Sequence, residues 1–251
     1  MSMIWIAKPA GANTTALAND LNEAGFAVLN QPVIDIAQLD IDALHSRPSK
    51  QMVLNLDRFQ HLIFISTNAV KFGMDWISSY WPQLPEKVTW YAIGAATQTE
   101  MKKYGVEALQ PIVPTSEGLL QLPQLNQVAE HKIGLLKGIG GRTLIETTLA
   151  GRGADVACIE CYRRQAINEL DEETLAVLNT KQLGMIVALS IETLESLRAL
   201  SIRYKLEITE LILVVPSERV AKAARQLGFV NIRRAISAEN SAIVAAIRSW
   251  K

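Results

Sequence analysis

One unit occurs twice in this chain, and it constrains the fold more than any other feature. Residues 133–164 read as strand (133–136), glycine turn (Gly138, Gly140, Gly141), helix (143–150), glycine stop (Gly151, Gly153) and strand (154–162). Residues 3–30 read the same way: strand (3–7), a turn with Pro9 and Gly11, helix (13–24), Gly25 and strand (26–30). Leu17, Leu21 and Ala24 recur at helical spacing, which gives that helix one apolar stripe. The strand after Gly25 is short and nearly all apolar, as a parallel strand covered on both faces must be. Gly25 stands where a left-handed helix cap is expected.

The alternation continues along the chain, so the fold class is α/β with parallel sheets. FISTNAVKF (64–72) matches VALSIETLE (187–195): strand, small hydroxyl residue, helix. The segment starting at Trp90 matches the segment starting at Leu211: strand, turn, helix, glycine, strand. Each half thus holds the same parts, in a different order. The layout expected is two similar doubly wound, flavodoxin-like domains: 1–36 with 166–251, and the continuous 39–162. Linkers near 31–40 and 162–167 would join them, with a cleft between. Residues 31–40, where Ile34, Ile36 and Leu39 alternate only loosely with polar residues, read as extended linker, 45–50 as a polar stretch with Pro48, and 107–110 as a weak edge strand. The last helix carries Ile243, Ile247 and Trp250 on one stripe.

Composition excludes some functions. Lys+Arg 25 balances Asp+Glu 25, so a nucleic-acid binder relying on bulk charge is not expected. Residues 132–164 show a mild local excess: Lys132, Lys137, Arg142, Arg152, Arg163 and Arg164 against Glu146, Asp155 and Glu160. That suits an anionic small molecule. No apolar run approaches the ~18 residues of a membrane span, and the start lacks the basic front of a signal peptide. A soluble cytoplasmic protein, away from membranes and nucleic acid, is expected.

Ligands of open α/β sheets sit beyond the carboxyl ends of the strands. Those ends carry Lys8-Pro9, Ser66-Thr67-Asn68, Gly94 to Thr97, Lys137 to Arg142, Ser190 and Ser217. The small hydroxyl residues suit helix caps as well as ligand contacts, and the two roles are compatible. Gly138-Ile139-Gly140-Gly141-Arg142 exposes backbone N–H groups at a helix start, which suit carboxylates and phosphates. Thr143 stands where a dinucleotide fingerprint needs its third glycine. Cys158 and Cys161 spell CxxC but lie on a strand, not at a helix N-terminus, so neither redox nor zinc chemistry is expected. His45 and His131 read as solvated loop residues, and His61 opens a strand. No Ser-His-Asp or HExxH arrangement is present. Tyr162 ends its strand where the chain leaves one domain, either as packing or as a hydroxyl donor.

Taken in order, these segments resemble the uroporphyrinogen-III synthase family. The residues that carry the resemblance are Lys8-Pro9, Ile63 through Val70, Tyr91-Ala92-Ile93-Gly94 with Thr97, Ser116 through Leu120, Gly138-x-Gly140-Gly141-Arg142 and Tyr162-Arg163. The resemblance implies two α/β domains on a two-stranded linker and no cofactor. It implies a linear tetrapyrrole substrate, hydroxymethylbilane, with eight carboxylates. The terminal hydroxyl leaves as water, an azafulvene forms, and a spiro intermediate rearranges to invert ring D. It makes Tyr162 the residue that assists the leaving hydroxyl. It makes Lys8, Ser66, Thr67, Asn68, Gly94, Thr97, Gly138, Gly140, Gly141, Arg142, Ser190 and Ser217 substrate contacts, with no metal and a monomeric protein. The family's opening turn has Arg before the proline. Lys8 keeps the charge and lacks the bidentate fork.

Two rival functions share such a layout. A non-catalytic hinged binder or sensor of an anionic metabolite would have the same two domains. A nucleotide-sugar transferase would as well, but would carry an acidic or glycine-rich nucleotide signature, which this sequence lacks.

Overall fold

The computed structural model describes residues 3–180 and 182–249, with the Ala12 side chain left out. Trp250 lies outside the described residues. In chain order the elements are β1 (Met3–Ile6), α1 (Ala12–Glu23), β2 (Ala27–Leu29), β3 (Ile34–Gln38), α2 (Arg47–Leu54), β4 (His61–Phe64), α3 (Thr67–Tyr80), β5 (Thr89–Ala92), α4 (Ala95–Lys102) and α5 (Ser116–Leu120). Then follow β6 (Lys132–Gly138), α6 (Leu144–Gly151), β7 (Asp155–Ala166), α7 (Glu172–Leu178), β8 (Leu183–Val187), α8 (Ile191–Tyr204), β9 (Ile212–Val215), α9 (Glu218–Gln226), β10 (Ile232–Arg234) and α10 (Asn240–Arg248). Two compact units result: Met1–Ile36 with Gln165–Lys251, and Ala37–Arg164.

The discontinuous unit holds a five-stranded sheet ordered β10-β9-β8-β1-β2, with every pairing parallel. Counted along its own path, this is the flavodoxin-like order 2-1-3-4-5. Neighbouring residues of β1 go to opposite cores: Ile4 and Ile6 to one, Trp5 and Ala7 to the other. Met185 and Val187 against Ile186 and Ala188 repeat the pattern in β8. Alternate side chains of a strand face opposite ways, so both faces are covered. Leu17 and Leu21 of α1 and Ile243 and Ile247 of α10 cover one face. Leu194 and Leu197 of α8 and Val220 and Ala224 of α9 cover the other.

The continuous unit holds the sheet β3-β7-β6-β4-β5. Its β6-α6-β7 corresponds to β1-α1-β2, β4-α3 to β8-α8, and β5-α4 to β9-α9. All four residues of β4 are buried. Val70, Met74 and Ile77 of α3 are buried at helical spacing. Gly25 and Gly153 end the equivalent helices with φ of 83° and 85°, a region where glycine carries no Cβ penalty.

The structure adds to the sequence reading or departs from it in four places. The extended segment 31–40 contains β3, which lies beside β7, and β7 runs past Tyr162 to Ala166, so the two expected linkers are neighbouring strands. The polar stretch 45–50 begins α2, with Pro48 in its first turn, where proline has no N–H to lose. The edge strand 107–110 reduces to one bridge, Tyr91 to Leu109. The strand after Gly228 spans only Ile232–Arg234, and Phe229 joins Ala224 in the core. No helix of the described residues is long and apolar enough to cross a membrane.

Candidate active site

In a doubly wound sheet, the crevice opens where strand order reverses. In the discontinuous unit that point lies between β1 and β8, whose ends lead to Lys8 and Ser190. In the continuous unit it lies between β6 and β4, whose ends lead to Gly138 and Ser66.

Ser66 follows β4 in extended conformation and caps α3: its Oγ accepts from the N–H of Ala69 at 3.0 Å. The N–H of Val70 goes to the carbonyl of Ser66. The N–H groups of Thr67 and Asn68 therefore stand ahead of the helix's own ladder. Thr67 is exposed and Asn68 half-buried. Ser66 Oγ also lies 3.1 Å from Tyr162 Oη, a hydrogen bond spanning 96 residues of sequence.

Tyr162 stands in β7 opposite Gly138 of β6, after an irregularity in the register between Lys137 and Gly138. Its ring is 5% exposed and contacts Phe72 of α3 at 5.9 Å between centroids. A Cβ at Gly138 would lie 2.5 Å from Tyr162 Cε2, so the ring fits there only because Gly138 has no side chain. The N–H of Ile139 donates to the carbonyl of Tyr162 at 2.9 Å, which removes one donor from the glycine turn. Gly140 and Gly141 follow with φ of 77° and 86°, both exposed, as is Arg142. That backbone turns the loop into α6, whose first residue follows Thr143 with no side-chain cap.

Gly94 caps α4 from β5, and a Cβ there would lie 2.6 Å from Pro114 Cβ. It allows the loop bearing Pro114 to close on the strand end. Thr97 is buried at 4% exposure, in the first turn of α4. Ser66, Gly138 and Tyr162 are thus in mutual reach through Tyr162, and Gly94 and Thr97 belong to the neighbouring strand end.

In the other unit, Ser190 caps α8, accepting from the Thr193 N–H at 3.1 Å and pairing with the Thr193 hydroxyl at 2.9 Å. Ser217 caps α9 by accepting from the Val220 N–H at 3.4 Å. Lys8 is 9% exposed, and its Nζ is buried with no hydrogen-bond partner among the described residues. Burial pushes its pKa down.

Cys158 and Cys161 are both free thiols on β7. Burial, ahead of any other influence, pushes them up to about 11 and about 12, so both remain protonated and unreactive at neutral pH. Among the described residues, no group of three or more His, Cys, Asp or Glu could hold a metal ion.

One polar cluster has no counterpart in the sequence reading. His61 Nδ1 lies 3.0 Å from Tyr91 Oη, and His61 Nε2 lies 2.9 Å from His131 Nδ1. His131 is half-buried, not a solvated loop residue. The three are far apart in sequence and meet through the registers of His61 with Thr89 and with Ile133. They lie at the amino end of β4, away from Ser66.

The sequence profile described as "Uroporphyrinogen-III synthase HemD" matches residues 15–245 of this chain. The uroporphyrinogen-III synthase of Escherichia coli (strain K12) is 35% identical over 196 residues, covering 74% of this chain and 78% of that one. The uroporphyrinogen-III synthase of Salmonella typhimurium (strain LT2) is 31% identical over 253 residues, covering 98% and 99%. Among solved structures, uroporphyrinogen-III synthetase from Helicobacter pylori 26695 superposes with a TM-score of 0.64 at 13% identity, over 100% of both chains. A mutant uroporphyrinogen III synthase from Thermus thermophilus gives 0.58 at 17% identity, over 99% and 98%. At such identities the structural likeness concerns the fold alone. With a profile that spans most of its length and relatives of this identity, the chain belongs to the uroporphyrinogen-III synthase family.

Proposed function

We propose that this protein closes hydroxymethylbilane to uroporphyrinogen III, with loss of water and inversion of ring D, and that Tyr162 assists the departure of the terminal hydroxyl. The observation that carries the reading is the Tyr162 hydroxyl, hydrogen-bonded to Ser66 at a strand-order reversal. The hydroxymethyl pyrrole expels hydroxide readily once a donor bonds its oxygen, because the ring nitrogen pushes electrons into the breaking C–O bond. Little acid strength is therefore required. The larger task is to hold a flexible polyanion in one geometry, and positioning alone contributes several powers of ten to such a step.

The carboxylates of the bilane are the partners we assign to the remaining strand-end groups. The N–H groups of Thr67, Asn68, Gly140, Gly141 and Arg142 would donate to them, and the Arg142 guanidinium would add charge. Gly94 and Thr97 shape the neighbouring strand end. Ser190, Ser217 and Lys8 would serve the same purpose in the other unit, the buried Lys8 ammonium gaining in an acidic guest the partner it lacks. No cofactor is called for by this chemistry. We further propose that the protein works as a cytoplasmic monomer.

Incubation of the protein with hydroxymethylbilane, followed by separation of the product isomers, tests the reading. Type III product is expected. Type I alone, the isomer of spontaneous closure, would reject the enzyme and favour a non-catalytic binder.

A further inference from the structure

Ser66 makes two hydrogen bonds that a simple carboxylate contact does not require. Its Oγ accepts from the Ala69 N–H at 3.0 Å, and it faces Tyr162 Oη at 3.1 Å. If Tyr162 is to give its proton to the leaving oxygen, that proton must point to substrate. The Ser66–Tyr162 bond must then run the other way, with Ser66 donating to Tyr162 Oη.

We infer that Ser66 is the positioning residue for Tyr162, and that its hydroxyl supports the negative charge which develops on the phenol oxygen as the substrate hydroxyl departs. This rests on Tyr162 acting as the acid, as proposed above. The chain Ala69 N–H to Ser66 O–H to Tyr162 O–H to substrate then runs in one direction, and each bond polarises the next. It begins at the N-terminus of α3, a helix of 14 residues, whose dipole favours negative charge there. The donor is in place before reaction, held by the cap, so no group has to reorganise as charge appears. Gly138 completes the arrangement by leaving room for the ring.

The step balances. The Tyr162 proton passes to the hydroxyl oxygen, the C–O bond breaks, and water leaves. Electrons from the pyrrole nitrogen fill the new exocyclic bond. The phenolate regains a proton when the closed ring loses one to restore its last pyrrole.

The assignment separates from a capping role and from a binding role by kinetics. Ser66→Gly removes the hydroxyl at a position where glycine caps nearly as well as serine, so the helix start survives. Ser66→Thr keeps both cap and donor. Ser66→Gly is expected to lower kcat on the order of 10-fold with KM within about 2-fold, and Ser66→Thr to remain within about 2-fold of wild type. In the Tyr162→Phe background, Ser66→Gly is expected to change kcat no further, because the two act as one unit. A rise in KM at unchanged kcat, or equal losses in both backgrounds, would overturn the assignment while leaving Tyr162 in its role. Near-wild-type turnover of Tyr162→Phe alone would remove the reading on which it rests.

Discussion

The Tyr162 ring lies against Gly138 so closely that a single methyl group at that glycine would come within 2.5 Å of Cε2 and 2.7 Å of Cζ. The neighbouring strands β6 and β7 align these two residues directly. Gly138→Ala must therefore displace the ring or open the strand pair. Overpacking of this kind costs about 1–3 kcal/mol, and the hydroxyl would leave Ser66. The variant is expected to lose both stability in urea denaturation and type III turnover. Unchanged turnover in a destabilised variant would separate the seat of the ring from the chemistry.

Lys8 predicts an opposition between stability and function. Its folded pKa is lowered by burial, so the folded state binds fewer protons than the unfolded state between that lowered value and 10.5. The group therefore opposes folding at neutral pH, and the penalty fades as pH rises through that window. Lys8→Met, similar in length and uncharged, is expected to raise stability by about 1 kcal/mol near neutrality, with the gain shrinking toward alkaline pH. Its KM for the bilane is expected to rise. Chemical denaturation across pH, alongside the KM, checks both halves.

The pair of histidines at the amino end of β4 predicts an acid weakness. Burial first, then the facing His131, lowers the pKa of His61. A base whose folded pKa lies below its unfolded value of about 6.5 costs stability as pH falls past that value. Lys132, next to His131 in sequence, pairs with Asp155 at 3.8 Å, and the two charges offset each other. The melting temperature is expected to fall as pH drops below about 6.5. His61→Gln, which keeps hydrogen-bonding atoms near Tyr91 and His131, is expected to flatten that fall. An equally steep fall in the variant would place the sensitive group elsewhere.

The repeated unit was legible because each of its signals is local. Gly25 and Gly153 mark helix ends through their own backbone angles, and Leu17 with Leu21 marks a buried stripe through spacing alone. The capping roles of Ser66, Ser190 and Ser217 were legible for the same reason, each being bonded three residues ahead. What the sequence hid depends on partners far along the chain. Strand β3 is a strand because β7 lies beside it, and its loose alternation carried no such message. The stretch around Pro48 read only as polar, and its place in the first turn of α2 makes Pro48 a helix starter. The Ser66–Tyr162 bond joins residues 96 apart, and the His61–His131 bond joins residues 70 apart. Nothing in spacing announces either. Both follow from strand register, which is decided by the packing of whole sheets.

The rate of type III formation by Tyr162→Phe, measured beside its unfolding transition, tests the role of this hydroxyl most directly. The change removes one oxygen and leaves the ring against Gly138 and Phe72. Turnover is expected to fall roughly 100-fold, the low end for a positioned acid, with stability changed by no more than about 1 kcal/mol. Turnover within a factor of about two of wild type, in a variant equally well folded, would contradict a catalytic role for Tyr162.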